Sequence, residues 1–417
     1  MNDYPQQRKI INDPVHGFIR IPTKLILKLI NHPYFQHLRR IKQLGLTEFV
    51  YPGALHTRFH HALGAMNLMR MALDTLRLKE HKISHKEYES ALIAILLHDV
   101  GHGAFSHALE CTILKDCHHE ELSLLIMEKL DDEFNGQLKT AIEIFKGNYH
   151  RPFFHQLVSG QIDVDRMDYL QRDCFFTGVS EGTIGGERII RMLNLSDDKL
   201  VVEEKGVYSI EHFLNARRMM YWQVYLHKTT VSTEQMLIQT IRRARFLVQK
   251  SNNNTDTKLF ATPSLSFFLE NEITLNQFKN DKNVLDFFVQ LDDYDIWASI
   301  KVWTKSEDKI LSSLSNMLVN RRLFKTHLTT EELDQNFKTD VKEKVKKQFG
   351  ISDEDLSFLV CEGKISNSAY ALGTGEEICI LKKTGEVIDI TNASDIPYLQ
   401  SLTQAVTKNY FCYPKMK

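Results

Sequence analysis

The chain has 417 residues, 43% of them hydrophobic and 25% charged, a composition that excludes disordered and fibrous classes and favours a globular protein. Fifty-two basic and 53 acidic side chains leave a formal net charge of -1, so no global field selects nucleic acid or an anionic membrane as a partner. Any anion-binding site must therefore be local. The length predicts about two or three structural units.

The N-terminal segment and the cysteines bear on where the protein works. The opening MNDYPQQRKI carries charges and no apolar stretch, and the longest apolar run, 91–97, is too short to cross a bilayer. None of the six cysteines forms a C-x-x-C pair, and a chain of this length has no need of disulfides. We therefore expect a cytoplasmic protein with no membrane partner.

The predicted elements begin with a hairpin and continue mostly as helices. Residues 9–22 alternate imperfectly and contain Asp-Pro and His-Gly pairs, which predicts a short extended hairpin. Ser84 and Glu87 form a capping box, after which apolar residues recur at helical spacing until two glycines interrupt them. This helix delivers His98 and Asp99 at its C-terminal end. Helical periodicity also recurs over 63–78, 120–130, 163–171 and 210–248.

A polar stretch divides the chain into two predicted parts. The segment SNNNTDT at 251–257 favours turns over continued helix, so a second unit is expected after it. That unit ends with EICILKKTGEVIDI, where two β-rich runs flank Lys-Thr-Gly and predict a hairpin. We predict a mainly α fold with an all-helical core. Its regions are an N-terminal hairpin with the first helices packed on the core (1–50), the helical core (51–250) and a smaller α+β region (258–417).

Two segments carry candidate metal ligands. His98 and Asp99 are adjacent within LLHDVGHGAFSH, and a divalent cation accepts one imidazole and one carboxylate readily when other ligands come from elsewhere. Alone, a His-Asp pair at the end of a helix more often has no function. His61 lies in HTRFHHALG, three residues after Arg58, so a ligand and a cation would share a helical face. The alternative for this segment is a polar loop with surface histidines.

A third segment, QIDVDRMDYLQRD, places polar side chains on one helical face. Asp165, Arg166, Tyr169 and Asp173 fall within an arc of roughly 100° at helical spacing. A solvated face with i,i+3 and i,i+4 ion pairs is the alternative interpretation. Taken together, the three segments supply two imidazoles and two carboxylates. This set indicates a single metal site that leaves coordination positions for water and a phosphate oxygen.

The motifs as a group resemble a known family. DPVHGFI, FQHLRRIKQLG, PGALHTRFHHALG, LLHDVGHGAFSH, HHEE and IDVDRMDYLQRDC are similar to the HD-domain phosphohydrolase superfamily, in particular its deoxynucleoside triphosphate triphosphohydrolase branch. The resemblance covers about residues 9–175 and continues more weakly to roughly 325. It implies an HD catalytic core at 51–250 and hydrolysis of a deoxynucleoside triphosphate to deoxynucleoside and inorganic triphosphate.

The resemblance also implies roles for single residues at the reacting centre. His107 matches the general acid for the departing 5′ oxygen, and Glu110 and His119 match the residues that orient it. Two imidazoles and two carboxylates suit one divalent transition metal, Fe, Mn, Zn or Co, whereas Mg²⁺ would arrive with the substrate phosphates. The implied metal ligands are His61, His98, Asp99 and Asp165.

Substrate contacts follow from the same resemblance. Gln43 and Asp173 match groups that bind the sugar 3′ hydroxyl, and Leu44 matches the residue that crowds the ribose 2′ position. Gln223 stands where the family has an arginine on the triphosphate tail, which weakens the triphosphate assignment unless Arg217, Arg218 or Lys228 compensates. The implied phosphate ligands are Arg58, His102, Arg166 and Tyr169.

A regulatory nucleotide site between subunits is also implied, by Lys9, Asn31, Gln36 and Arg39. Asn31 replaces an aspartate that reads guanine, and an amide offers only one acceptor, so activation by a nucleotide is expected without guanine specificity. The expected partners are a deoxynucleotide substrate, an activating nucleotide and further copies of the chain in a dimer or tetramer.

Two other functions stay open. Gln223 and Asn31 favour another nucleotide phosphohydrolase on the same metal site, a monophosphatase or phosphodiesterase. The third hypothesis is a nucleotide-binding regulator without catalysis, which the intact set of ligands argues against.

Overall fold

The computed structural model describes residues 9–115, 117–251, 259–373 and 377–416. These residues form a mainly helical fold with an N-terminal hairpin and small sheets in the C-terminal region, which confirms the predicted fold class. None of the helices in these ranges combines the length and the apolar composition that a membrane crossing needs.

The predicted N-terminal hairpin is present. Strands β1 (Ile10–Asp13) and β2 (Gly17–Arg20) pair antiparallel. Asp13 shapes the turn because its Oδ1 accepts the backbone N–H groups of Val15 and His16, each at 2.9 Å. Gly17 closes the turn at φ 68°, a conformation that glycine adopts without strain. Helices α1 (Lys24–Asn31) and α2 (Pro33–Gln36) follow, then 3-10 turns at His37–Arg40 and Gly45–Phe49.

The central helices pack around a long buried helix. Helix α3 (Arg58–Leu78) contacts α4 (His85–Leu97), which begins at the predicted capping box of Ser84 and Glu87. The apolar run 91–97 is at most 1% exposed at every position, so α4 is buried on all sides at its C-terminal end. The next elements are α5 (His107–Ile113), β3 (Leu114–Lys115), α6 (His119–Glu133), α7 (Lys139–Phe145), α8 (Phe153–Val158), α9 (Val164–Thr177), α10 (Gly186–Met192), β4 (Leu193–Ser196) and β5 (Lys199–Glu203).

The helical periodicity predicted over 210–248 does not form one helix. It divides into α11 (Val207–Met220), a π-helical turn at Tyr221–Tyr225 and α12 (Lys228–Ser251). Local side-chain hydrogen bonds compete with the helix here, because Nδ1 of His227 accepts from the backbone N–H of Thr229 and the Thr230 hydroxyl donates to a carbonyl of the turn. The interruption places Tyr221 and Tyr225 at the two ends of the π-helical turn.

The C-terminal region combines helices with short strands. The predicted hairpin is present as β9 (Cys379–Leu381) and β10 (Val387–Asp389), and β9 pairs parallel to β5, so this hairpin extends the central β4–β5 pair. A second sheet has the order β7 (Lys325–Thr329), β11 (Val406–Tyr413), β8 (Cys361–Asn367). The elements are α13 (Pro263–Glu270), β6 (Ile273–Thr274), α14 (Leu275–Asn280), α15 (Lys282–Gln290), α16 (Asp293–Trp303), α17 (Lys309–Val319), β7 (Lys325–Thr329), α18 (Gln335–Phe349), α19 (Asp353–Leu356), β8 (Cys361–Asn367), β9 (Cys379–Leu381), β10 (Val387–Asp389), α20 (Ile390–Ala393) and β11 (Val406–Tyr413).

The predicted boundary at 251–257 lies almost entirely outside the described residues. On its two sides, buried hydrophobic side chains from 19 to 413 belong to one continuous core cluster. The division into regions 1–50, 51–250 and 258–417 therefore stays a prediction.

Arg243 links the central and C-terminal regions. Its guanidinium donates two hydrogen bonds to Asp308 at 3.0 and 2.6 Å and one to Asp355 at 2.7 Å, joining α12 to the starts of α17 and α19. The residue is 6% exposed, so Arg243→Ala leaves two carboxylates without their cation in a mostly buried place. We expect a loss of about 2 to 4 kcal/mol in the free energy of unfolding, measured by urea titration. The neighbouring, exposed Arg242→Ala is the control and should change it by less than about 0.5 kcal/mol.

Candidate metal centre and active site

Three of the four predicted metal ligands meet at the buried end of α4. His98 and Asp99 follow the last turn of α4, and His61 lies in the first turn of α3 directly beside them. Nitrogen and carboxylate oxygen atoms of these residues lie within 4.8 Å of one another. The rings of His61 and His98 meet edge to face with centroids 5.3 Å apart.

Asp165 brings the fourth ligand from the first turn of α9. Its Oδ1 lies 3.0 Å from Nε2 of His61 and 3.4 Å from Nε2 of His98. Bonds from protein ligands to a transition metal are about 2.0 to 2.2 Å long, so donor atoms at these separations can share one ion.

The hydrogen bonds on the far sides of the two rings test whether a metal fits. Nδ1 of His61 lies 2.8 Å from the Asp168 carboxylate, and Nδ1 of His98 lies 2.6 Å from the Ile95 carbonyl. Both partners are acceptors, so each Nδ1 donates a hydrogen bond, which leaves each Nε2 as the nitrogen that would coordinate a metal. Both Nε2 atoms are buried and face the carboxylates of Asp99 and Asp165 without a hydrogen bond of regular geometry. The arrangement fits a divalent metal ion.

The charges of the cluster are those of a cation site. Burial raises the pKa of Asp99, but His98, His102 and Arg58 hold it well below the usual range, and histidines lower the pKa of Asp165 in the same way. Burial lowers the pKa of His61, but nearby carboxylates outweigh burial and raise it to about 10. The carboxylates therefore remain ionised near neutral pH and attract positive charge.

A cavity of about 390 Å³ adjoins the metal cluster, a size typical of small-ligand sites. It contains most of the residues that the sequence predicts for substrate and catalysis. Its lining includes the predicted residues Gln43, Leu44, Arg58, Asp99, His102, His119, Asp165, Tyr169 and Asp173, and also Thr47, Phe105, Ser106, Tyr221, Tyr225, Leu226 and Glu234.

One wall of the cavity is basic and imidazole-rich. Arg58 donates to Asp99 at 2.5 Å and to the Ser106 hydroxyl at 2.8 Å, which holds its guanidinium next to the metal ligands. The rings of His102 and His119 stack at 3.9 Å.

Glu110 accepts a hydrogen bond from the backbone N–H of His119 at 2.6 Å, and its Oε1 lies 3.1 Å from Nδ1 of that ring. It therefore orients the His119 imidazole. The predicted general acid His107 begins α5, but its side chain lies outside the described residues.

Another part of the lining is a polar wall of hydrogen-bonding side chains. Asp173 is 1% exposed and lies 2.7 Å from Nε2 of His56, while its second oxygen accepts a hydrogen bond of 2.7 Å from the Tyr225 hydroxyl. The Oε1 atom of Gln43 is buried without a hydrogen-bond partner among the described residues, so it can accept one from a ligand. Leu44 lies beside it in the lining.

Arg166, a predicted phosphate ligand, and Gln223, the residue in place of a family arginine, both lie outside the cavity lining. Arg166 pairs with Asp163, the residue that caps α9, and is absent from the cavity lining. The side chain of Gln223 is also absent from the lining, and its carbonyl accepts from the Tyr51 hydroxyl. Among the cations considered as replacements, Arg217 lies 5.9 Å from the centre of the ring of Tyr221, a lining residue.

The four predicted regulatory residues lie on or near the surface around α1 and α2. Lys9, Asn31 and Arg39 are exposed. Arg39 stacks 3.5 Å above the Phe59 ring and donates to Gln36 at 2.8 Å, so both side chains have partners within the chain. Their role in binding a nucleotide stays a prediction.

Several functional candidates were missed by the sequence argument. Asp168, which orients His61, stands in the recognised QIDVDRMDYLQRD segment, where its spacing of three from Asp165 was the available signal. Tyr225 and Glu234 come from the π-helical turn and α12, and no motif marks them. Burial raises the pKa of Glu234 to about 7, which sets this carboxyl apart from surface acids.

Comparisons with known proteins agree with this site. Residues 58–173 match the HD domain, and residues 184–261 match the HD associated region. The crystal structure of a phosphohydrolase from Bacteroides thetaiotaomicron has a TM-score of 0.93 and 49% identity, covering 98% of this chain and 100% of that chain. The uncharacterized protein YwfO of Bacillus subtilis is 33% identical, covering 98% of this chain and 93% of its own.

Another relative, which matches a smaller part of the chain, is named for an enzymatic activity. A deoxynucleoside triphosphate triphosphohydrolase SAMHD1 homolog of Dictyostelium discoideum is 32% identical, and the match covers 62% of this chain and 54% of that protein. The chain belongs to the HD-domain family of phosphohydrolases. It is a metal-dependent phosphohydrolase with a buried His/Asp cluster.

Proposed function

We propose that the protein hydrolyses deoxynucleoside triphosphates to deoxynucleosides and inorganic triphosphate. The observation that carries the proposal is the single cavity that joins the metal cluster to the buried polar wall of Gln43, Asp173 and Tyr225. The cationic side chains beside the metal cluster suit charged phosphates, and the buried hydrogen-bonding side chains suit a sugar hydroxyl. The distant relative named as a triphosphohydrolase supports the same substrate class.

Different residues in and beside the cavity bind the phosphates, hold the metal and donate the proton. Arg58, His102 and Tyr169 face the phosphates and stabilise the negative charge that develops at the α-phosphorus. His61, His98, Asp99 and Asp165 would hold a divalent ion, which would supply Lewis-acid chemistry and favour ionisation of a water molecule. The oxygen of water forms the new bond to the α-phosphorus. The bond between the α-phosphorus and the 5′ oxygen breaks, and that oxygen takes a proton. His107 is the proposed donor.

Product analysis tests the proposal directly. Purified protein is incubated with each deoxynucleoside triphosphate in turn and Mn²⁺, Fe²⁺, Co²⁺, Zn²⁺ or Mg²⁺, and the products are resolved by anion-exchange chromatography. Deoxynucleoside and triphosphate in equal amounts are expected. Orthophosphate or pyrophosphate as the first phosphate product would reject this cleavage, and the Asp99→Ala protein serves as the blank.

Leu44 is the proposed determinant of deoxyribose preference, because an apolar side chain beside Gln43 leaves a 2′ hydroxyl crowded and without a partner. Leu44→Ala is expected to raise kcat/KM for ribonucleotides relative to deoxynucleotides by about 10-fold or more. The ratio is measured by direct competition between the two sugars of one base. The exposed Leu55→Ala is the control, and an unchanged ratio in Leu44→Ala would contradict the role.

A second function has specific support. Arg166 is paired with Asp163 and Gln223 replaces an arginine, so fewer cations remain for a triphosphate tail. These features favour hydrolysis of a monophosphate or another nucleotide ester on the same metal site. Deoxynucleoside monophosphates included in the product screen decide between the two, since their faster turnover would establish the alternative.

The proposal also includes regulation by a nucleotide, bound by Lys9, Asn31, Gln36 and Arg39. It further includes assembly of the chain into a dimer or tetramer. Adding a second nucleotide to the screen and measuring molar mass by light scattering tests both. Activity that is independent of every added nucleotide would reject the regulatory part alone.

A further inference from the structure

The turn of the N-terminal hairpin reaches into the centre of the molecule. There, the carboxylate of Asp13 binds both the backbone of its own turn and a side chain of α9. Its Oδ1 accepts the N–H groups of Val15 and His16, and its Oδ2 accepts a hydrogen bond of 2.8 Å from Nη1 of Arg172 on α9. The shape of the turn and the position of Arg172 are therefore set by the same side chain.

His16, three residues after Asp13 in the same turn, makes a short contact with α9. His16 lies with its Nε2 2.6 Å from Oδ1 of Asp168, and its side chain is 7% exposed. Arg172 contacts both oxygens of Asp168, at 2.9 and 3.0 Å, and Oδ2 of Asp168 lies 2.8 Å from Nδ1 of His61. Asp168 thus has two partners on each oxygen and is fully buried.

A buried carboxylate with this set of partners has one favourable orientation. In a metal-binding imidazole, the ring nitrogen that does not face the metal donates a hydrogen bond. This bond fixes the tautomer and the ring orientation, and its loss weakens metal binding. Arg172 belongs to the same helix as Asp168, whereas His16 holds Asp168 from a separate element. Among the described residues, the hairpin therefore supplies the one hydrogen-bonding contact, apart from His61 itself, that ties the Asp168 carboxylate to an element other than its own helix.

We propose that the N-terminal hairpin is a positioning element of the metal centre, in which His16 holds Asp168 and Asp168 holds His61. His16 belongs neither to the proposed metal ligands nor to the cavity lining, so it is a positioning residue. The proposal rests on His61 being a metal ligand and does not depend on which nucleotide is hydrolysed. It gives the Asp-Pro-Val-His-Gly turn a function that the hairpin fold alone does not explain.

Two isosteric variants of the full-length protein test the proposal. The amide nitrogen of glutamine can occupy the place of Nε2 of histidine, whereas that of asparagine corresponds to Nδ1 and falls short of Asp168. His16→Asn is therefore expected to weaken binding of Co²⁺ by about 10 to 100-fold, and His16→Gln to stay within about threefold of the unchanged protein. The affinity is measured by competition with a chromophoric chelator, and the visible spectrum of bound Co²⁺ reports the ligand geometry.

The controls separate positioning from general stability. Phe18→Ala alters an exposed residue of the same hairpin and should leave Co²⁺ affinity unchanged. Urea unfolding in the presence of a chelator measures the stability of each variant without metal. Equal Co²⁺ affinity and spectrum in His16→Asn and His16→Gln would overturn the proposal, even if both variants lost stability. If the unchanged protein bound no Co²⁺, the metal site and the proposed function would fail together.

Discussion

His98→Ala is expected to remove bound metal and to lower phosphohydrolase activity by more than about 100-fold. Substitution of a residue that only hydrogen-bonds to a metal ligand lowers metal affinity or activity by about 10 to 100-fold, so loss of the ligand itself must lower them further. The change removes one imidazole donor and leaves His61 as the nitrogen ligand beside the carboxylates of Asp99 and Asp165, a set that binds a transition metal more weakly.

Metal content by elemental analysis and turnover of the best substrate from the screen are the two measurements. His150→Ala is the control, since this imidazole is exposed and distant in sequence from every ligand segment. Activity that survived in His98→Ala protein lacking metal would contradict a metal-dependent mechanism. Loss of both metal and activity without loss of the cellular role would instead support the hypothesis of a nucleotide-binding regulator.

Gly64→Ala is expected to lower the stability of the protein strongly through one added methyl group. A Cβ on Gly64 would lie 2.0 Å from Oδ1 of Asp168 and 2.2 Å from Nη2 of Arg172. Ends of side chains move easily on a surface, but these two are fully buried and paired with each other. Separating them leaves charges without partners, which costs about 3 to 5 kcal/mol and exceeds the gain of about 0.4 to 1 kcal/mol from a less flexible unfolded chain.

The free energy of unfolding from urea titration measures this effect. Gly185→Ala is the control, because a Cβ there meets nothing within 4 Å, and its stability should change by less than about 1 kcal/mol. We also expect weaker metal binding in Gly64→Ala, since displacement of Asp168 releases the Nδ1 side of His61. A Gly64→Ala protein as stable as the unchanged one would show that the Asp168–Arg172 pair can rearrange at little cost.

Local pattern was sufficient for much of the fold. The capping box of Ser84 and Glu87 and the apolar run 91–97 predicted α4 and placed His98 and Asp99 at its end, as observed. The Asp-Pro and His-Gly pairs predicted the hairpin, because turn residues act within four positions of themselves. Periodicity failed at 221–227, where side-chain hydrogen bonds to the backbone interrupt a stretch whose apolar spacing remains helical.

The sequence by itself determined the chemical content of the site, namely two imidazoles, two carboxylates and a set of cations in three recognisable segments. Tertiary structure alone decided which of them act together. It paired Arg166 with its own helix cap, brought Tyr225 and Glu234 into the cavity, and joined His16 to Asp168 across 152 positions of the chain. The physical reason is that spacing along a helix or turn specifies only near neighbours, whereas contacts between distant segments depend on how the whole core packs.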